Sequence, residues 1–192
     1  MKKILVIAAH PNEESLGAAL AQKYYEGAKG AGHEVKLTSL AKLQFDPILH
    51  KGYQKIQELE PDLVQAQKDI TWAEHIVIVY PLWWGTVPAL LKGFLDRTLL
   101  PGFAFKYRKD NPLWDRLLKG RTGRIIVTTD APWWWNLFVN WDPSIRMMKV
   151  TVMEFCGISP TKVTQFDSIK TRKPEHIQKF LGKTFQLGAQ GK

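Results

Sequence analysis

Ile4-Leu5-Val6-Ile7-Ala8-Ala9 contains no polar residue, and Ile76-Val77-Ile78-Val79 and Ile125-Ile126-Val127 are equally unbroken. A strand with one wet face alternates apolar and polar side chains, because successive residues point to opposite sides. Runs without that alternation must be covered on both faces. The arrangement that does so is a parallel sheet with a layer of helices on each side. Residues 4–9, 75–80 and 124–129 are therefore predicted as central strands, with residues 34–40 and 161–166 as two more. Helices are predicted between them. Residues 15–31 carry Leu16, Leu20 and Tyr24 at helical spacing and end in Gly30-Ala31-Gly32. Residues 61–73 follow; Pro88 suits the first turn of a helix to about Arg97; residues 143–155 form a helix closed by Gly157; residues 174–187 form the last. Five strands alternating with helices specify an α/β, doubly wound parallel sheet of order 2-1-3-4-5 with helices on both faces. No linker, repeat or low-complexity tract divides the chain, so residues 1–192 read as a single domain.

Composition narrows the function. The chain is 45% hydrophobic and 23% charged, as globular proteins are. No run approaches the roughly 18 apolar residues of a membrane span. Lys2-Lys3 before an apolar run is like the start of a signal peptide. That run, however, ends within one strand length and meets His10-Pro11-Asn12-Glu13-Glu14 with no cleavage-type sequence. The single cysteine, Cys156, excludes an internal disulfide and a cysteine-built metal cluster, and a cytoplasmic location is the default expectation. The net charge of +9 would suit nucleic acid, but the basic residues are scattered apart from an enrichment between Lys106 and Arg124. No nucleic-acid motif accompanies them, and an anionic cofactor or substrate calls for the same charge.

In a doubly wound sheet the ligand sits beyond the carboxyl ends of the strands, where the winding direction reverses. The loops there follow Ala9, Tyr80 and Thr129. The first leads into a helix, whose N-terminal N–H groups favour a phosphate, with His10 and Ser15 as added donors. The alternative is that Ser15 only caps the helix and His10 is an ordinary loop residue. The chain lacks G-x-G-x-x-G after the first strand and lacks G-x-x-x-x-G-K-[ST] throughout, against a dinucleotide-binding Rossmann domain or a P-loop NTPase. His10-Pro11-Asn12-Glu13-Glu14 is also similar to the His-Pro-Asp-Asp-Glu signature of zinc-dependent N-acetylglucosamine deacetylases. Here Asn12 cannot act as a base, and none of His33, His50, His75 or His176 has a metal-site context. No metal is expected.

The second loop sets Trp83 and Trp84 side by side between Pro81-Leu82 and Gly85. Two adjacent tryptophans are costly to expose, and a planar ring laid on them would cover them; packing both into the core is the alternative. The run from Tyr80-Pro81-Leu82-Trp83-Trp84-Gly85 through Asp96-Arg97 to Pro101-Gly102-Phe103-Ala104-Phe105 resembles the flavin-contacting segment of the NAD(P)H:quinone oxidoreductase family. These are the flavodoxin-like relatives of DT-diaphorase. Phe45-Asp46-Pro47-Ile48 and the His10 loop fall in the expected order, so the resemblance covers most of the chain through about Phe105. It implies a flavodoxin-like fold, a flavin (FAD favoured, FMN the alternative), NAD(P)H as electron donor and a quinone-like acceptor. It implies flavin contacts from His10, Ser15, Leu16, Pro81, Leu82, Trp83, Trp84 and Gly85, with loop amides at flavin N5 and O4. It also implies that the segment from Gly102 to Tyr107 is given to a partner's site. A homodimer follows, with Phe105 and Tyr107 as candidates for lining the acceptor pocket.

The third loop departs from the family. Its members carry Thr-Thr-Gly-Gly there, with amides aimed at flavin N1 and O2, whereas this chain has Thr128-Thr129-Asp130-Ala131-Pro132. Thr128, Thr129 and Asp130 are expected at the cofactor, Thr129 and Asp130 through their backbones. A carboxylate near N1 would disfavour an anionic reduced flavin unless Asp130 points away or caps the next turn. Trp133, Trp134 and Trp135 are expected to form one wall of the substrate pocket, the alternative being a structural or dimer role. The Tyr and His that assist hydride transfer in better-known members have no counterpart, so no side chain is named as catalytic. The resemblance thus implies hydride passage through flavin N5 to a quinone or similar flat acceptor, one pocket serving both substrates by a ping-pong mechanism. Two alternatives remain. One is an ancillary regulatory flavoprotein of a potassium-efflux transporter, using the Lys106–Arg124 region; the other is a flavodoxin-type electron carrier.

Overall fold

The computed structural model describes residues 1–192. Strand β1 (Lys3–Ala8) leads to helix α1 (Leu16–Gly30), then β2 (Glu34–Ser39), α2 (Pro61–Trp72), β3 (His75–Pro81) and α3 (Ala89–Thr98). A short hairpin of β4 (Phe105–Tyr107) and β5 (Trp114–Arg116) precedes β6 (Thr122–Thr128), α4 (Pro143–Arg146), β7 (Thr161–Phe166) and α5 (Pro174–Ala189). The main sheet has the order β2-β1-β3-β6-β7 with all neighbours parallel, which is the predicted doubly wound order once the hairpin is set aside. β3 is buried along its whole length and β1 and β6 nearly so, while the edge strands β2 and β7 keep partly exposed residues. That difference explains why the central strands read as unbroken apolar runs.

The helices form two layers. α2 and α3 pack on one face, where Leu63, Ile70, Leu91 and Phe94 meet Ile76, Ile78 and Ile125. α1 and α5 pack on the other, with Leu20 and Tyr24 against Val77, Val79 and Ile126. α1 and α5 approach so closely that a Cβ on Gly27 would lie 2.1 Å from the Phe185 carbonyl oxygen, and one on Gly188 would lie 2.1 Å from that of Tyr24. α3 is similarly pressed on the irregular segment before α2. Gly93 lies against Pro47, and the fully buried Arg97 donates to the carbonyls of Asp46 (2.5 Å) and Glu58 (2.8 Å) and to the Glu60 carboxylate (2.9 Å).

Two local features depart from the sequence reading. The β4–β5 hairpin was not foreseen. The helix expected over residues 143–155 is α-helical over Pro143–Arg146 and again at Phe155, while Met147–Glu154 between them is π-helical. Its buried residues are Met148 and Met153, five apart. On an α-helix such positions lie about 140° apart, so the wider turn is what lets both reach the core.

His75, at the start of β3, is buried with Nδ1 2.7 Å from the Thr122 hydroxyl and no partner for Nε2. Burial, aided by the nearby positive charges of Lys2 and Arg124, pushes its pKa down to about 4. A base with a folded-state pKa below its unfolded value contributes fully above the unfolded pKa, and that contribution is lost as pH falls from about 6.5 towards 4. The urea midpoint should therefore drop more steeply across this window for the natural chain than for His75→Gln. Parallel profiles would show that His75 does not titrate this way.

Candidate functional site

The carboxyl ends of β1, β3 and β6 open on one cleft of about 420 Å³, lined by His10, Ser15, Leu16, Gly17, Pro81, Leu82, Trp83, Thr128, Thr129, Asp130 and Ile169. Its first wall is the loop after β1. Ser15 caps α1 by accepting from the Ala18 N–H at 3.1 Å, and the N–H groups of Leu16 and Gly17 have no partner within the chain. His10 Nδ1 accepts from the Asn12 N–H at 2.9 Å, and the ring stands edge-on to Trp83 with centroids 5.3 Å apart. Burial outweighs that hydrogen bond and holds the His10 pKa below its ordinary value. A neutral imidazole accepting at Nδ1 carries its proton on Nε2, so His10 is a donor without charge.

The second wall follows β3. Leu82 N–H donates to the Thr128 carbonyl at 2.8 Å, extending the β3–β6 pairing by one residue. Trp83 and Thr86 then exchange two hydrogen bonds of 2.9 Å around Trp84 and Gly85, whose φ angles are +51° and +73°. This is the geometry of a type I′ turn, which favours glycine or asparagine at both central positions. A tryptophan there is held in the left-handed region and is fully exposed. The N–H groups of Trp84 and Gly85 have no partner within the chain.

The third wall follows β6, and here the sequence reading is corrected. The Thr129 N–H, expected to serve a ligand, donates to the Phe166 carbonyl at 3.0 Å because β7 continues its pairing that far. Thr129 Oγ1 accepts from the Ala131 N–H (3.2 Å) and from Asn136 Nδ2 (3.4 Å), leaving its hydroxyl proton as the donor it can offer. Asp130 Oδ1 accepts from the Lys170 N–H at 3.0 Å, so its carboxylate turns toward residues 169–171 while its own N–H has no partner within the chain.

The cleft brings together every predicted cofactor contact except Trp84 and Gly85. Gly85 borders a smaller adjoining cavity with Asn136, Asp142 and Ser144; Trp84 points into solvent. Neither predicted pocket residue of the hairpin lines the cleft of its own chain. Phe105 is buried in the core against Phe155, and Tyr107 stands exposed at its edge. Trp133, Trp134 and Trp135 follow Asp130 but lie outside the cleft lining, half exposed. Sequence reasoning missed Gly17, Ile169 and Asn136. Only Asn136 left a signal, as the one polar residue between Trp133 and Val139. No group of three His, Cys, Asp or Glu side chains is placed to hold a metal ion.

The family described as having a flavodoxin-like fold matches residues 2–186. Among curated proteins, an uncharacterized NAD(P)H oxidoreductase of Haemophilus influenzae is 42% identical over 128 residues, covering 65% of this chain and 62% of its own length. The ribosyldihydronicotinamide dehydrogenase [quinone] of Pongo abelii is 30% identical over 150 residues, covering 67% and 63%. The chain thus spans about six tenths of the length of these relatives. Of solved structures, Smu.1420 from Streptococcus mutans superposes with a TM-score of 0.83 at 28% identity, covering 97% of this chain and 98% of that one. The NAD(P)H:quinone oxidoreductase from Methanothermobacter marburgensis also gives 0.83, at 18% identity and 100% and 99% coverage, a likeness of fold alone.

Proposed function

The chain belongs to the flavodoxin-like fold family, and from that premise we propose that its cleft holds a flavin through which electrons pass from NAD(P)H to a quinone or similar flat, electron-poor acceptor. The observation that carries this reading is the set of unpaired donors on three loops. Leu16, Gly17 and Asp130 offer N–H groups in the cleft, and Trp84 and Gly85 offer two more in the turn beside it. Such a set fits a ligand with a phosphate at one end and a flat heterocycle with ring acceptors at the other. The start of α1, with uncharged His10 and the Ser15 hydroxyl, would hold the phosphate. Pro81, Leu82 and Trp83 would meet the ring, and the turn amides, the Asp130 N–H and the Thr129 hydroxyl would meet its polar edge. The Asp130 carboxylate accepts the Lys170 N–H at Oδ1, which turns that oxygen toward residues 169–171.

A bound flavin supplies the centre that accepts hydride from NAD(P)H and delivers it to the acceptor. The chain's own task is to orient the rings and exclude water beneath them. The names of the Haemophilus influenzae and Pongo abelii relatives support the donor and acceptor classes. One cleft serving both substrates in turn gives ping-pong kinetics. FAD is the favoured form and FMN the alternative. We further propose that the chain acts as a single domain in the cytoplasm and pairs as a homodimer, the segment from Gly102 to Tyr107 reaching the partner's cleft.

The test is an absorption spectrum of the purified protein, with mass identification of what denaturation releases and sedimentation equilibrium on the same sample. The expected result is a flavin spectrum that NADPH bleaches and a quinone restores, from a particle of twice the chain mass. A colourless protein that takes up neither FAD nor FMN and does not oxidise NAD(P)H would overturn the reading. A monomer would overturn the pairing alone.

A further inference from the structure

Between Trp133 and Trp141 one side chain is deeply buried, and it is polar. Asn136 is 2% exposed in a stretch made almost wholly of large apolar residues. Its amide is only half satisfied. Nδ2 donates to the Thr129 hydroxyl oxygen at 3.4 Å, whereas Oδ1 is buried with no partner. A buried acceptor left unpaired is costly, and a leucine of similar volume would carry no such cost. The backbone around Asn136 is pinned as well. Its N–H donates to the Pro132 carbonyl at 3.3 Å, and its carbonyl accepts from the Asp142 N–H at 2.8 Å. The second bond closes a corner in which Trp141 and Asp142 have φ angles of +61° and +45°, a left-handed conformation unfavourable for tryptophan above all. The chain thus tolerates an orphaned oxygen and a strained corner here, and between them they place one NH2 group against Thr129.

Thr129 is where that group acts. The pairing of β6 with β7 gives the Thr129 N–H to the Phe166 carbonyl, so the backbone of this residue offers the cleft no donor. Its hydroxyl oxygen accepts from the Ala131 N–H at 3.2 Å as well as from Asn136. A hydroxyl has two lone pairs and one proton. With a donor on each lone pair it accepts nothing further, and its proton is left for whatever enters the cleft that Thr129 lines.

We propose that Asn136 is a positioning residue, which fills the second lone pair of the Thr129 hydroxyl and so locks it as a donor to the ligand in the cleft. Without Asn136 the hydroxyl could turn its proton aside or accept instead. The inference rests on the flavin reading above and deepens it. A locked donor suits the acceptor atoms on the polar edge of the ring, and suits them better once reduction has placed negative charge there. It stands in for the backbone amide that β7 has taken.

The experiment measures flavin affinity and the two-electron midpoint potential of the purified holoprotein and its variants, with urea unfolding to establish that each variant folds. Asn136→Leu and Thr129→Val should each weaken binding of the reduced flavin about tenfold more than that of the oxidised form. That ratio lowers the potential by about 30 mV. Thr129→Ser keeps the hydroxyl and should match the natural chain. Because Asn136 acts through Thr129, adding Asn136→Leu to Thr129→Val should move the potential no further. Asn136→Ala gives the same reading where leucine prevents folding. A potential unmoved in a folded, flavin-bearing Asn136 variant would overturn the inference, as would an equal shift in the Thr129→Val background. A natural chain that binds no flavin would sink the flavin reading, and this inference with it, before any variant is compared.

Discussion

Gly188→Val is expected to lower stability by about 3 kcal/mol or more, at the upper end of what overpacking costs. The new Cβ would sit 2.1 Å from the Tyr24 carbonyl oxygen and 2.9 Å from its carbon. Neither atom can rotate away, because both belong to the backbone of α1. The helices would have to separate, and the reciprocal contact of Gly27 with Phe185 would open with them. Gly182, on the same helix, gives the control: a Cβ there meets nothing within 4 Å. Gly182→Ala should leave the packing alone and gain up to about 1 kcal/mol from helix propensity. Urea unfolding followed by circular dichroism reads both. Two glycines of one helix should move the midpoint in opposite directions, and a shared direction would mean that α5 does not pack as described.

The second large effect belongs to Arg97. Arg97→Met keeps most of the buried volume but removes the donors to the Asp46 and Glu58 carbonyls and to Glu60. Breaking a buried pair from one side costs about 3–5 kcal/mol. The Glu60 side chain keeps 29% of its exposure and can take water in exchange, so the lower end, about 3 kcal/mol, is expected. The loss should fall first on the segment between β2 and α2, which Arg97 and Gly93 hold to α3. Limited proteolysis should cut that segment faster in the variant. An unfolding midpoint within about 1 kcal/mol of the natural chain would show that the guanidinium is dispensable.

The fold was legible because its central strands are covered on both sides. β1, β3 and β6 could not be mistaken for surface strands, and their positions located the cleft by the rule of strand ends. What the sequence hid was settled by partners distant along the chain. The Thr129 N–H is taken by the Phe166 carbonyl because β6 and β7 pair in a register that the sequence does not reveal. Phe105 is core because Phe155, fifty positions later, packs edge-on against it at 5.1 Å. The hairpin escaped notice because strands as short as Lys106 and its neighbours show no period. The π-helical turns over Met147–Glu154 escaped it because apolar spacing does not fix hydrogen-bond register. Residues 133–141 broke the assumption that large apolar residues lie within, since every large apolar side chain among them is exposed.

The topology also gives the cleft a second kind of importance. Its walls come from residues 10–17, 81–83, 128–130 and 169, so an occupant touches the early, middle and late parts of the chain at once. It acts as a clasp across the sheet: β1 cannot leave β3, nor β6 leave β7, without the occupant losing its grip. Binding energy is then added to the cooperative unfolding of the whole sheet rather than to the order of one loop. A polypeptide arranged this way persists longest in a cell where its ligand is plentiful. Its abundance, as well as its turnover, becomes a gauge of ligand supply.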